Sequence, residues 1–215
     1  MSSLPPTFAD ALFDYIDSPD VPHVEAAFIP IIEQLHRFLN ELSCLRDLQQ
    51  FRGERLRIRP RFSVAFGNHK IRRGEWYTYH HGGRTEMQFN IGMYGAPLYH
   101  ARIGMGFCFY GPGRRVVNAV FSRFYAVVTQ QSDSFARFAN TSQLEIERLS
   151  ASDDRERIEP ISWLYSPQPP LQEWLSVARL LRRQEDRAIL SNPQRLAEVI
   201  EGVFSGFRPF YDQIL

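Results

Sequence analysis

Tyr77, Tyr79, His81, Arg84, Glu86, Gln88 and Asn90 recur at alternate positions on either side of Gly82-Gly83. Glycine takes the positive φ values of a two-residue hairpin turn without steric cost. With these two glycines as the loop, His81 would pair with Arg84, Tyr79 with Glu86 and Tyr77 with Gln88. Directly opposed residues share a face of the sheet. That face would combine tyrosine rings with guanidinium, carboxylate and amide groups, the set that stacks on bases and reads their edges. Trp76, Thr78 and His80 would stand with Met87 and Phe89 on the core side. A one-residue slip in the turn would reverse the first strand only.

Glu86-x-Gln88 allows a second chemistry. Two alternate residues on one strand, a carboxylate to hold Mg²⁺ and a polar partner to place the attacking water, are what PD-(D/E)xK nucleases use. No aspartate precedes them on a neighbouring strand, however, and only Glu54 and Glu75 are near. One carboxylate holds a divalent cation poorly, so no catalytic residue is expected. If the chain is a nuclease, Glu86 and Gln88 would carry the reaction. His80 and His81 point to opposite faces and cannot readily chelate one ion, and no zinc spacing occurs, so no metal site or cofactor is expected. GxSxG, HExxH and P-loop patterns are absent as well.

Cations gather where the alternating residues lie. Residues 45–115 hold 13 Lys/Arg against 4 Asp/Glu, a net of +9, while residues 1–44 carry −6 and residues 116–215 carry −2. Of the 25 basic residues only Lys70 is lysine. Arginine grips phosphates and guanine edges through two parallel bonds, which lysine cannot do. Arginine-biased codons would explain the ratio but not the clustering, which favours an anionic partner. Arg57, Arg59 and Arg61 alternate on one strand face, and the glycine-bounded loop GNHKIRRG adds Lys70, Arg72 and Arg73. These six are the expected phosphate contacts. Tyr77, Tyr79, Arg84, Glu86, Gln88, Asn90, His100 and Arg102 form the expected reading face.

The elements that must position these groups follow from periodicity. Residues 76–110 read as a three-strand antiparallel meander. Met87, Phe89, Ile91 and Met93 alternate with polar or small residues, as do Ala101, Ile103, Met105, Phe107 and Phe109. Arg55 to Phe66 reads as a strand in which Pro60 argues for an edge position or a bulge. Before it come a short helix over residues 5–18 and a longer one from His23 to Gln50, with Pro30 kinking or dividing it. After it, helices are expected at 116–130 and 132–140, a strand at 144–149, a charged link at 152–159 and a short strand at 161–165. Two closing helices are expected at 171–187 and 193–205, with Asn192 as N-cap and Pro193 in the first turn. The order predicts a single α+β domain over residues 1–215. It has N-terminal helices over 1–50, a central antiparallel sheet over 55–110 and a mainly helical remainder over 114–215. Four to six strands are expected, with helices packed on one face and the polar set on the uncovered one.

With 215 residues, 44% hydrophobic and 23% charged, the chain can bury a core without disulfides or metal. Cys44 and Cys108 sit in apolar contexts and read as buried thiols of a reducing cytoplasm. No apolar run reaches membrane-spanning length and MSSLPPTFAD is no signal peptide, so a cytoplasmic protein without membrane contact is expected.

The run EWYTYHHGGRTEMQFNIGMY, the basic strand before it and the closing LAEVIEGVFSGFRPFYDQIL resemble N-terminal modules of prokaryotic restriction systems, in particular modification-dependent ones. The likeness is one of layout over about two thirds of the chain, and it transfers no catalytic residue. It implies a DNA-recognition domain of restriction or phage defence that reads a modified or flipped base between aromatic side chains, beside a partner restriction subunit. The alternatives are a Mg²⁺-dependent nuclease and a protein-interaction subunit docking an acidic partner.

Overall fold

The computed structural model describes residues 38, 39, 41–51, 73–80, 87–94, 100–108, 114–150, 153–166 and 172–214. Its framework is one antiparallel sheet. The strands are β1 (Gln49–Phe51), β2 (Arg73–His80), β3 (Gln88–Tyr94), β4 (His100–Cys108), β5 (Leu144–Ser150), β6 (Asp153–Pro160) and β7 (Gln172–Arg182). They lie in the order β1-β2-β3-β4-β7-β5-β6. The helices are α1 (Arg114–Gln130), α2 (Ser132–Thr141), the single turn α3 (Arg187–Leu190) and α4 (Pro193–Ile214). The α+β class stands, and among the described residues the sheet counts seven strands.

Alternation decides which face is buried against helices. Phe89 and Ile91 of β3, Met87 just before it, and Ile103 and Met105 of β4 are buried. In register with them stand Leu175, Val177 and Leu181 of β7, and then Leu144 and Ile146 of β5. Helix α4 lies on this face. Leu196, Ile200, Val203, Phe204, Phe207, Phe210, Tyr211 and Ile214 recur at three- and four-residue spacing and are all buried. The ring of Phe89 meets those of Phe204 at 5.4 Å and Tyr211 at 4.8 Å. Helices α1 and α2 extend the same core through Phe124, Val128 and Phe135. Phe135 stands edge-on to Phe210 at 5.1 Å and Phe138 to Phe207 at 4.9 Å.

Helix α4 begins as expected, with the Asn192 side-chain oxygen accepting from the backbone N–H groups of Gln194 and Arg195, each at 3.1 Å. It continues well past residue 205, through Pro209, to Ile214. Arg208 then ties the start of the described chain to it. Its guanidinium donates to both carboxylate oxygens of Asp47, at 2.6 and 2.7 Å, and to the Cys44 carbonyl at 2.7 Å. The bonds to Asp47 and Asp212 hold its pKa above the ordinary arginine value.

Four local expectations are corrected. Residues 172–182 form β7 rather than a helix, because β7 is buried on both faces, and a doubly buried strand reads as a continuous apolar run without a clear period. Residues 153–160 pair with β5 as β6 instead of forming a loose link. Ile161–Tyr165 is a 3-10 turn that buries Leu164 and brings the Trp163 ring under the Arg148 guanidinium, at 4.8 Å. The helix expected up to Gln50 gives way to a 3-10 turn at Ser43–Leu45 and then to β1. The helix expected at 5–18 and the strand at 55–66 lie outside the described residues.

Candidate functional site: the polar face of the sheet

Opposite α4 the same strands present a different inventory. In β3 and β4 the register pairs Gln88 with Gly106, Asn90 with Gly104, Gly92 with Arg102 and Tyr94 with His100. Beyond β4, His100 faces Arg182, Arg102 faces Leu180, Gly104 faces Ala178 and Gly106 faces Ser176. Strand β5 then adds Glu145 opposite Ala178 and Glu147 opposite Ser176. One face therefore joins Gln88, Asn90, His100, Arg102, Glu145, Glu147, Ser176 and Arg182, with glycines, Ala178 and the buried Leu180 between them.

The small residues are structural necessities here. A Cβ on Gly104 would run into the Val177 carbonyl and the Ala178 methyl. Position 104 must lack one for β4 and β7 to approach this closely.

Ion pairs cross the face. Arg102 Nη1 donates to Glu147 Oε2 at 3.1 Å, with side-chain exposures of 0% and 1%. Nearer the edge Arg182 holds Glu145 at 2.8 Å, both side chains partly exposed. The hydrogen bond to Glu145, with its charge, raises the Arg182 pKa against an opposing effect of burial. Two further polar side chains stand on the face without a protein partner: the amide nitrogen and oxygen of Asn90, which is 1% exposed, and the hydroxyl of Ser176, at 0%. Such groups are uncommon in folded proteins and each costs free energy where it stands.

The register places several of the expected site residues. Gln88, Asn90, His100 and Arg102 share the face opposite α4, and Arg73 joins them opposite Tyr94. Two expectations need correction. The register of β2 sets Tyr77 opposite Ile91 and Tyr79 opposite Phe89, with an irregularity between Glu75 and Tyr77. Both tyrosine positions are therefore on the helix-bearing side, and Thr78 stands with Asn90. From Tyr77 on, the pairing differs by an odd number of residues from that of a two-residue Gly-Gly loop, which turns this part of β2 over, while Arg73 and Glu75, before the irregularity, stand on the polar side. The centre of the polar face is also not open: Asn90 and Arg102 are shut off from solvent. A buried guanidinium needs a counter-charge, and Glu147 supplies it from a strand that is remote in sequence.

Arg57, Arg59, Arg61, Lys70, Arg72, Arg84 and Glu86 lie outside the described residues. Glu145, Glu147, Ser176 and Arg182 were not singled out from the sequence. The available signal was the alternation in LEIERLS, where two glutamates interrupt a β-branched and leucine pattern. Among the described residues no three of His, Cys, Asp and Glu are grouped to hold a metal ion, and no helix is long and apolar enough to cross a membrane.

The fold and this face define an α+β domain with a two-sided seven-stranded sheet, apolar toward its helices and polar on the other side. Comparison with protein-family models, with curated proteins and with solved structures finds no match to the chain.

Proposed function

We propose that the chain is a non-catalytic nucleic-acid-binding domain with DNA as its favoured partner, acting in restriction or phage defence. The observation that carries the reading is one row of the sheet. The register sets Arg73 opposite Tyr94, Tyr94 opposite His100 and His100 opposite Arg182. Adjacent strands lie about 4.8 Å apart, so this row of three basic residues and a tyrosine spans roughly 14 Å at one end of the polar face. Basic groups spaced along a surface are what phosphate contacts require, and an aromatic among them offers a base a ring to stack on. The row belongs largely to the segment 45–115, whose net charge is +9. Arg102 is not among the phosphate contacts of this reading, since Glu147 neutralises it inside the fold, and Arg182, partly exposed, would exchange its Glu145 partner for a phosphate.

Fluorescence anisotropy with labelled single- and double-stranded oligonucleotides, titrated across salt, tests the proposal. With about five phosphate contacts, log K should fall against log [salt] with a slope of about −4.5 for duplex DNA. Arg73→Ala and His100→Ala should each weaken binding evenly across sequences, and the arginine change should reduce the slope by about 1. The reading fails if no oligonucleotide binds at low salt or if binding is independent of salt.

A further inference from the structure

Strand β6 ends the sheet. Among the described residues β5 is its one neighbouring strand, so the outer side of β6 presents backbone N–H and C=O groups to which another strand can add. Arg157 and Pro160 are exposed there, and Ile158 and Glu159 partly so. The sequence of the strand, DDRERIEP, decides what can add to it. Charges along an edge repel most partners, and they admit one whose own charges match in register.

We propose that this partner is a second copy of the chain, paired antiparallel with β6 about a two-fold axis. Such an axis stands perpendicular to the joined sheet and keeps each face on its own side. Directly opposed residues share a face, so the axis must pass through a residue position and not between two. The residue at the axis then faces its own copy. Every residue from Asp153 to Arg157 is charged, as is Glu159, and each would oppose a like charge there. Pro160 closes the strand and would leave almost nothing paired. Ile158 alone remains.

With Ile158 at the axis the two isoleucines meet, and Arg157 of each copy faces Glu159 of the other. Glu156 faces Pro160, and no like charges are opposed. Arg157 and Glu159 share the helix-bearing side, opposite Arg148 and Ile146 of β5. Arg148 takes one oxygen of Glu159, Oε1, at 2.6 Å. A carboxylate accepts several hydrogen bonds and a guanidinium has several donors, so the pair between copies leaves this bond in place. The two sheets become one, with both polar faces on the same side. The paired segment, Glu156–Pro160, is short, and the dimer should be a weak one that dissociates in the micromolar range.

Sedimentation velocity of the full chain without nucleic acid tests the proposal, so its outcome is independent of the nucleic-acid reading. The parent should pass from monomer to dimer as concentration rises through the micromolar range, and added salt should weaken the dimer. Arg157→Glu and Glu159→Arg each turn two attractive pairs repulsive and should weaken self-association about tenfold or more. An equimolar mixture of the two variants restores opposite charges in both pairs and should dimerise like the parent. Glu159→Arg also removes the partner of Arg148, so thermal melts must show that it folds. If it does not, Ile158→Lys decides the question, because it sets two ammonium groups opposite each other at the axis and should abolish the dimer. The proposal is overturned if the parent stays monomeric throughout, or if Arg157→Glu or Ile158→Lys associates like the parent. It is equally overturned if the two charge variants both fold and their mixture remains monomeric.

Discussion

The guanidinium of Arg102 on β4 reaches across the whole width of β7 to the carboxylate of Glu147 on β5, at 3.1 Å, and both side chains are buried. Gly104 and Ala178 lie along this diagonal and leave the face low enough for an arginine to cross. The pair joins the meander β2–β4 to the strands of the C-terminal half.

Removing one partner leaves a buried charge without compensation. Arg102→Ala and Glu147→Ala should each destabilise the protein by about 3–5 kcal/mol. Replacing both together, Arg102→Met with Glu147→Leu, should cost far less than the sum, since apolar groups of similar volume substitute well for a buried pair. Urea denaturation of the singles and the double checks this, and additive losses would show that the two residues act independently.

Helix α4 contains two glycines with opposite expected behaviour. Nothing lies within 4 Å of a Cβ built on Gly202, whereas one on Gly206 would enter the ring of Phe138. Gly202→Ala should therefore stabilise by about 0.5–1 kcal/mol through helix propensity. Gly206→Ala should destabilise by about 1–3 kcal/mol, because the Phe138 ring is wedged between Phe135, Phe207 and Phe210. Thermal melts of the two variants should move in opposite directions.

The cap at the start of α4 is separable from its packing. Asn192→Ala removes the acceptor for two backbone N–H groups and should cost about 1 kcal/mol, while Asn192→Asp or Asn192→Ser should retain most of the stability. Chemical denaturation of the three variants ranks them.

The turned-over strand β2 is open to a direct check. Cross-strand backbone contacts in NMR spectra should link Tyr79 with Phe89 and Tyr77 with Ile91. Contacts from Tyr79 to Glu86 would instead restore the two-residue Gly-Gly turn and return the tyrosines to the polar face.

Alkaline pH should weaken the fold at Cys44. Burial raises its thiol pKa above the ordinary value, outweighing the lowering by its hydrogen bond to Ser205. The folded chain thus holds this proton more tightly than the unfolded chain. The corresponding stability is fully present below the ordinary thiol pKa and is lost as pH rises through the raised one. Unfolding free energy measured on the alkaline side should decline with pH, and Cys44→Ala should flatten that decline.

By itself the sequence determined what local periodicity can encode. The alternation of Phe89, Ile91, Ile103 and Met105 marks β3 and β4 and their apolar face. The helical spacing of Val120, Phe124 and Val128 marks α1, and Asn192-Pro193 marks the start of α4. Gln88, Asn90, His100 and Arg102 could be placed on a common polar face for the same reason, since a strand alternates its residues with a period of two.

Tertiary structure decided everything that depends on who stands beside whom. QEWLSVARLLR is a central strand because β4 and β5 flank it and both its faces are buried, a condition no window of sequence displays. The face of Tyr77 and Tyr79 depends on loop length, and a change of parity there moves the residues of β2 from Tyr77 onward to the other side. That Arg102 is a buried member of an ion pair depends on Glu147, 45 residues away, being brought within 3.1 Å by the crossing of β7 between β4 and β5. Charge is written in the sequence, but whether a charge meets solvent or a counter-ion is set by packing.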